Sequence, residues 1–192
     1  MKMKLITPPT MEPITLTDAK NYLRVDHNTE DGLITQMISS AREFCEAYQN
    51  RVHGEQTWEL YPLKVETFYE LMFPVPIMSI DEVTYLLADG TTQTLTAVTD
   101  YRTDTRSMTA PAELFIVNKP TEELDKYTPL TITVTAGSDN VPARVIQAMH
   151  LLIGTFYENR ESYNGHIKSG QIEINNRKAV EALLDPDRIM SF

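Results

Sequence analysis

The sequence has little cysteine, little glycine and no long apolar run. One cysteine among 192 residues excludes an intramolecular disulfide framework and a Cys-rich zinc site, and it favours a reducing compartment. Seven glycines leave little material for a phosphate-binding loop, and the P-loop, dinucleotide-binding and nucleophile-elbow patterns are missing. The most apolar stretch, AMHLLIGTFY, is too short to cross a bilayer, and the proline-broken start does not resemble a signal peptide.

Basic residues are also scarce, and the charge is distributed unevenly. The chain has 17 basic and 27 acidic side chains, for a net charge of −10. Residues 53–141 hold 14 of the acidic and 5 of the basic side chains, so the two flanking sections are nearly neutral. Surfaces that bind nucleic acids or anionic membranes need clustered Lys and Arg. We therefore expect no specific DNA binding and no membrane binding.

The two ends of the chain carry the pattern of packed helices. Thr15 and Asp18 have the spacing of a capping box, which predicts a short helix over residues 16–24. Apolar residues then recur at helical spacing from Leu33 to Tyr48, and after Pro142 a second apolar stripe runs to Tyr157. KAVEALL predicts a last short helix that Pro186 stops. We expect the two long stripes to pack against each other.

The middle of the chain carries the pattern of strands. Apolar and polar residues alternate in TWELYPL and LTITVTA, and Asp89-Gly90 between two β-rich runs predicts a hairpin. About five to seven short strands with such connections favour an antiparallel sheet or small sandwich. The predicted fold class is α+β. Residues 1–52 and 141–192 form a helical bundle with a C-terminal tail, and residues 53–140 form an inserted antiparallel β subdomain.

Candidate metal and catalytic residues do not form a convincing site. Asp26, Asn28 and Glu30 alternate as calcium-loop ligands do, but Asp31 and Met37 occupy the positions that need Gly and Glu. The histidines at 27, 53, 150 and 166 lack zinc-ligand spacing. Cys45 falls on an apolar helical stripe, where a core role is expected. We predict no catalytic residue, no metal site and no cofactor.

Two surface features remain, the acidic clusters and the apolar C-terminus. The clusters are Asp81-Glu82, Asp185/Asp187, and the group of Glu122, Glu123 and Asp125. A metal-dependent nuclease would use such carboxylates, but it would also need Lys or Arg nearby for phosphate. The apolar tail residues Ile189, Met190 and Phe192 either fold back on their own core or dock in a groove of another chain.

The order of motifs along the chain resembles a known family. An N-terminal LTDAKNYLRVD, a central TWEL and a late VPARVIQAMHLLIGTFYENRE follow one another between about Ile14 and Arg188. Together they resemble the head–tail connector, or adaptor, proteins of tailed bacteriophages. The closer likeness is to the long variant with a β insertion between the helices, a group also described as DNA-packaging proteins.

The resemblance implies a structural role in the virion. Such connectors form a homo-oligomeric ring, commonly of twelve copies, beneath the portal protein. The ring extends the DNA channel, DNA passes through without specific binding, and a neck or tail-completion protein joins its far side. The protein would assemble in the host bacterial cytoplasm and remain in the virion neck, with no enzymatic activity.

Two groups of residues acquire hypothetical roles from this resemblance. The proposed contacts with the portal or a neighbouring subunit are Leu183, Leu184, Arg188, Ile189 and Phe192. Glu122, Glu123 and Asp125 would form an acidic face toward the channel or the outer solvent. Alternatives are a neck or tail-completion protein that binds the connector, a metal-dependent nuclease of the packaging apparatus, and a cellular protein-binding adaptor.

Overall fold

A computed structural model describes residues 1–72, 75–107, 111–119, 121–159 and 177–189. Within these ranges the chain forms four α-helices, a short 3₁₀ helix at Asp185–Asp187, and eight strands. The helices are α1 (Leu16–Leu23), α2 (Asp31–Gln49), α3 (Ala143–Glu158) and α4 (Arg177–Leu184). The strands are β1 (Lys2–Thr7), β2 (Gln56–Tyr61), β3 (Phe68–Leu71), β4 (Ile77–Leu86), β5 (Thr92–Thr94), β6 (Tyr101–Asp104), β7 (Ala112–Ile116) and β8 (Leu130–Ala136).

The chain divides into two compact units. One comprises Met1–Met11 and Arg51–Asp139, and we call it the β unit. The other comprises Glu12–Asn50 and Asn140–Phe192, and we call it the helical unit. The described elements confirm the α+β class, with helices before and after a section of antiparallel strands.

Local signals set the ends of the helices. The amide of Asp18 donates to the Thr15 hydroxyl at 3.1 Å, as a capping box requires, and that hydroxyl donates to the Asp18 carboxylate at 2.6 Å. Helix α2 ends at Gln49 and is capped by Asn50, whose φ of 54° is the left-handed conformation that asparagine tolerates. The helical boundaries therefore follow the sequence pattern to within a residue or two.

The apolar stripes of α2 and α3 meet in a single core. Ile34, Ile38 and Cys45 of α2 are buried with Met149 and Leu152 of α3. Side chains recurring three and four positions apart lie on one helical face, so each stripe forms a continuous contact surface. This packing confirms the expected partnership between two segments about a hundred residues apart in the sequence.

The β unit consists of two antiparallel sheets. The larger has the strand order β1-β2-β8-β4-β5, and the smaller has the order β3-β7-β6. Strands β4 and β5 form the predicted hairpin, and Gly90 adopts a φ of 88° at its turn. Leu60, Ile132 and Leu114, from both sheets, share one apolar core.

Two strands differ from the sequence expectation. The sequence pattern predicts that residues 1–52 belong to the helical body, but β1 pairs with β2, so Met1–Met11 belong to the β unit. Strand β3 was not anticipated and pairs with β7. Both strands lie at the edge of a sheet. The alternation of Lys2, Met3, Lys4 and Leu5 in β1 is short and was overlooked, whereas FYEL in β3 does not alternate.

Candidate interaction surfaces

The C-terminal segment folds back on the end of α2. The Gln49 side chain donates to the Leu184 carbonyl at 2.8 Å, and the Ile189 amide donates to the Gln49 carbonyl at 2.9 Å. Asn50 donates from its side chain to the Ile189 carbonyl, also at 2.8 Å. These bonds satisfy carbonyl and side-chain groups at the helix end. They support the fold-back alternative for this part of the tail.

This arrangement changes the set of residues available for docking. Leu184 is fully buried in the helical core, so its side chain cannot serve as a surface contact in this conformation. Leu183 and Ile189 are half-buried, whereas Arg188 is exposed. Met190 and Phe192 lie outside the described residues. The surface that remains for a partner is therefore centred on Arg188.

Polar contacts hold Arg188 and its neighbours in place. The Arg188 guanidinium lies 4.7 Å from the centre of the Tyr48 ring, and the Tyr48 hydroxyl donates to Asp185 at 2.6 Å. The hydrogen bond to Asp185 raises the pKa of the Tyr48 hydroxyl above its ordinary value. Asp187 accepts from Arg144 in a two-bond ion pair, which ties the 3₁₀ helix to α3.

The acidic group at residues 122–125 separates into two roles. Glu122 and Glu123 are exposed, as the sequence analysis expected. Asp125 is half-buried, and its carboxylate accepts from the amides of Thr128 and Tyr127 at 2.7 and 2.8 Å. These backbone hydrogen bonds lower the pKa of Asp125 below its ordinary value. Asp125 therefore stabilises a turn, and the exposed acidic side chains are those of Glu122 and Glu123.

Strand pairing creates a second acidic feature that the sequence analysis missed. Glu70, Glu113 and Asp104 are register partners across β3, β7 and β6, so three carboxylates lie abreast. Like charges directly opposite one another destabilise a sheet. Arg106 offsets the repulsion at Asp104. Its hydrogen bonds to that carboxylate lower the pKa of Asp104 to about 2. Only the register brings these residues together, since they lie up to 43 positions apart in the sequence.

An apolar row lies beside the acidic row. Phe68 and Phe115 are register partners with ring centres 4.9 Å apart, and Arg102 continues their row on β6. Both rings are about two-fifths exposed, while the alternating residues Leu114 and Ile116 of β7 face the core. The outer face of the small sheet thus carries a row of two phenylalanine rings that ends at Arg102 and, beside it, a row of three carboxylates, one of them paired with Arg106.

Strand β1 is exposed along its whole length. It is an edge strand, and no other described strand pairs with its outer side. Met3 and Leu5 lie on the same face as their partners Leu60 and Trp58, whereas Lys2 and Lys4 lie on the opposite face. Exposed edge strands are usually protected by short length, by charged side chains such as lysine, or by a covering element.

The metal-ligand and nucleophile candidates of the sequence are found at separate places in the described structure. Among them, no group of three or more His, Cys, Asp or Glu side chains is placed to hold a metal ion. Burial raises the pKa of the Cys45 thiol to about 12, which keeps it protonated and unreactive. His150 lies with Asp18 and Tyr22 in a groove of about 460 Å³, and burial lowers its pKa. Across the described ranges, no helix is both long and apolar enough to cross a bilayer.

Comparison with known proteins gives a consistent picture. Residues 12–188 match the family model described as head completion protein. A chain from the virion of a native gene transfer agent particle superposes with a TM-score of 0.77 at 16% identity. A chain from the neck of the native particle, computed with C12 symmetry, gives 0.75, and one from the neck of the empty particle, computed with C6 symmetry, gives 0.74.

Each of these two neck chains is also 16% identical to this protein, and each of the three superpositions covers 100% of this chain and 97% of the other. At that identity the likeness shows a shared fold. A comparison with curated protein sequences finds no match.

Proposed function

We propose that this chain, which belongs to the head completion protein family, is a structural component of the neck that joins the head of a tailed phage or phage-like particle to its tail. The observation that carries the proposal is the family match over residues 12–188, which spans both units. The shared fold with chains of gene transfer agent particles supports it, since those chains come from a virion and from necks computed with cyclic symmetry.

In this role the protein forms a ring of identical subunits, with the portal on one side and a neck or tail-completion protein on the other. A ring uses heterologous contacts, in which one patch meets a different patch on the next copy. The two units supply such unlike surfaces, one built of helices and one of antiparallel sheets. The ring would comprise twelve copies, as is common in the connectors the chain resembles. Assembly would take place in the host cytoplasm.

The channel role follows from charge. DNA must pass the ring without being held, and an acidic wall repels phosphate over a Debye length of about 8 Å. Glu122 and Glu123 are exposed and lie in the section that carries most of the negative charge. We assign these two residues to the channel-facing or solvent-facing surface, and we assign Asp125 to the turn beneath them.

The experiment that tests the function is loss and restoration of neck assembly. Particles made without the protein should contain filled heads that lack tails, and adding the purified protein should restore tail joining. Cryo-electron microscopy of the restored particles should show an added ring below the portal. Tailed particles in the absence of the protein would contradict the proposal. Cleavage of plasmid DNA with Mg²⁺ or Mn²⁺ by the purified protein would favour the nuclease alternative.

The C-terminal docking surface can be tested with single substitutions. Deleting residues 186–192 would also remove the Arg144–Asp187 ion pair and the bonds of Ile189, so it would confuse docking with folding. Arg188→Glu is a cleaner change, and we expect it to weaken cosedimentation with portal-bearing heads about tenfold. The matched control is Lys178→Glu, an exposed charge reversal on α4 that should bind as the wild type does. Equal binding by both variants would remove Arg188 from the docking surface.

A further inference from the structure

The exposed edge strand β1 combines features that suit a specific contact. Met3 is 43% exposed and Leu5 is 40% exposed, and they flank the free edge on one side. Lys2 and Lys4 flank it on the other side. The partner of Lys4 across the strands is Glu59, whose carboxylate already accepts from the Tyr61 hydroxyl. The edge therefore offers an apolar strip and a basic strip that run side by side.

The charge of the rest of the unit is opposite to that of β1. The β unit carries 14 acidic and 8 basic side chains, and β1 supplies 2 of the basic ones and none of the acidic ones. The outer face of the small sheet has the complementary pattern, because the row containing Phe68 and Phe115 lies beside the row of Glu70, Glu113 and Asp104. Opposite potentials on two surfaces of one chain favour contact between copies.

We propose that β1 of one copy docks edge-on against the outer face of the β3-β7-β6 sheet of the neighbouring copy in the ring. Met3 and Leu5 cover Phe68 and Phe115, while Lys2 and Lys4 meet the acidic row. The contact is heterologous, as closure of a ring requires. It also explains why a sheet keeps three carboxylates abreast, since the neighbour's lysines offset the repulsion. The inference rests on the proposed function, because it assumes a ring of this protein.

The buried area of this contact is too small to hold two free subunits together. A stable interface buries about 1,600 Å² in total, and one six-residue strand supplies only part of that area. The contact therefore adds to others when subunits assemble on a shared platform, where the effective concentration is high. The test accordingly uses portal-bearing heads and the full chain.

Charge reversal tests the electrostatic half of the contact. We expect Lys2→Glu/Lys4→Glu and Glu70→Lys/Glu113→Lys each to reduce ring occupancy on the heads about tenfold, and the fourfold variant to recover occupancy. Circular dichroism melting identifies any variant that has lost its fold. Lysines can instead protect an edge from association, in which case Lys2→Ala/Lys4→Ala would increase self-association. That increase, or double variants that assemble as the wild type does, would overturn the proposal.

Cross-linking tests the geometry without relying on affinity. A Met3→Cys chain and a Phe115→Cys chain, mixed on the heads and mildly oxidised, should give disulfide-linked dimers. The native Cys45 is buried and stays out of the reaction. The matched control uses a Tyr127→Cys chain in place of the Phe115→Cys chain. Tyr127 is 78% exposed and belongs to the same unit, but it lies outside the proposed contact. Equal yields from the two mixtures would overturn the proposal.

The same experiments separate this inference from the proposed function. If the wild-type chain does not join portal-bearing heads, the proposed function fails. If the wild type forms a ring while the charge variants and the cross-links behave as their controls do, only the β1 contact fails.

Discussion

Arg42 brings a positive charge into the helical core, and its pairing is a source of stability at the residue scale. Its guanidinium donates to Glu12 at 2.9 Å and to Glu46 at 2.7 Å, and the side chain is 7% exposed. Removing it takes a charged hydrogen-bond donor away from two partly buried carboxylates. We expect Arg42→Met to lower the free energy of unfolding by about 2 to 3 kcal/mol in urea denaturation. Arg177→Met, which breaks an exposed pair with Glu181, should cost less than about 0.5 kcal/mol.

His150 gives the helical unit a pH dependence on the acidic side. Burial lowers its pKa from 6.5, and Asp18 opposes that effect only in part. Below about pH 6.5 the unfolded chain therefore binds a proton that the folded chain does not, so stability falls as the pH falls. We expect the urea midpoint to drop between about pH 7.5 and about pH 5, and His150→Gln to reduce that drop. An identical pH profile for the variant would show that other groups cause it.

At the scale of elements, a close backbone approach beyond β8 depends on glycine. Gly137 has a φ of 91°, and a Cβ there would lie 1.9 Å from the Gly54 carbonyl oxygen. We expect Gly137→Ala to lower the free energy of unfolding by more than about 3 kcal/mol, or to abolish soluble expression. Gly32→Ala is the matched control, because nothing lies within 4 Å of its Cβ position in α2. That change should raise stability by about 0.5 to 1 kcal/mol in the same assay. A wild-type midpoint for Gly137→Ala would contradict the steric argument.

At the scale of the whole molecule, the uneven charge should govern how DNA passes. Glu122→Gln/Glu123→Gln removes two exposed charges from the acidic section and leaves the Asp125 turn intact. We expect particles with this variant to eject DNA more slowly at low salt, and the difference to shrink as salt increases. Asp26→Asn/Glu158→Gln changes the net charge equally on exposed residues of the helical unit, and it should have no effect. Equal ejection by both variants would mean that Glu122 and Glu123 are only solvated surface.

Local patterns in the sequence determined much of this protein. The ends of α1 and α2, the stripes of α2 and α3, and the Asp89-Gly90 hairpin depend on residues a few positions apart, so they could be predicted directly. The order of motifs also predicted the family, and the match over residues 12–188 confirms it.

Tertiary structure alone decided the surfaces. The pairing of β1 with β2, the row of Glu70, Glu113 and Asp104, and the burial of Leu184 each depend on partners far away in the sequence. A strand's register and a side chain's exposure are set by what packs against them, and a shift of one residue would turn each acidic side chain to the other face. For that reason the sequence located the negative charge in the middle of the chain, whereas only the fold assembled part of it into one row.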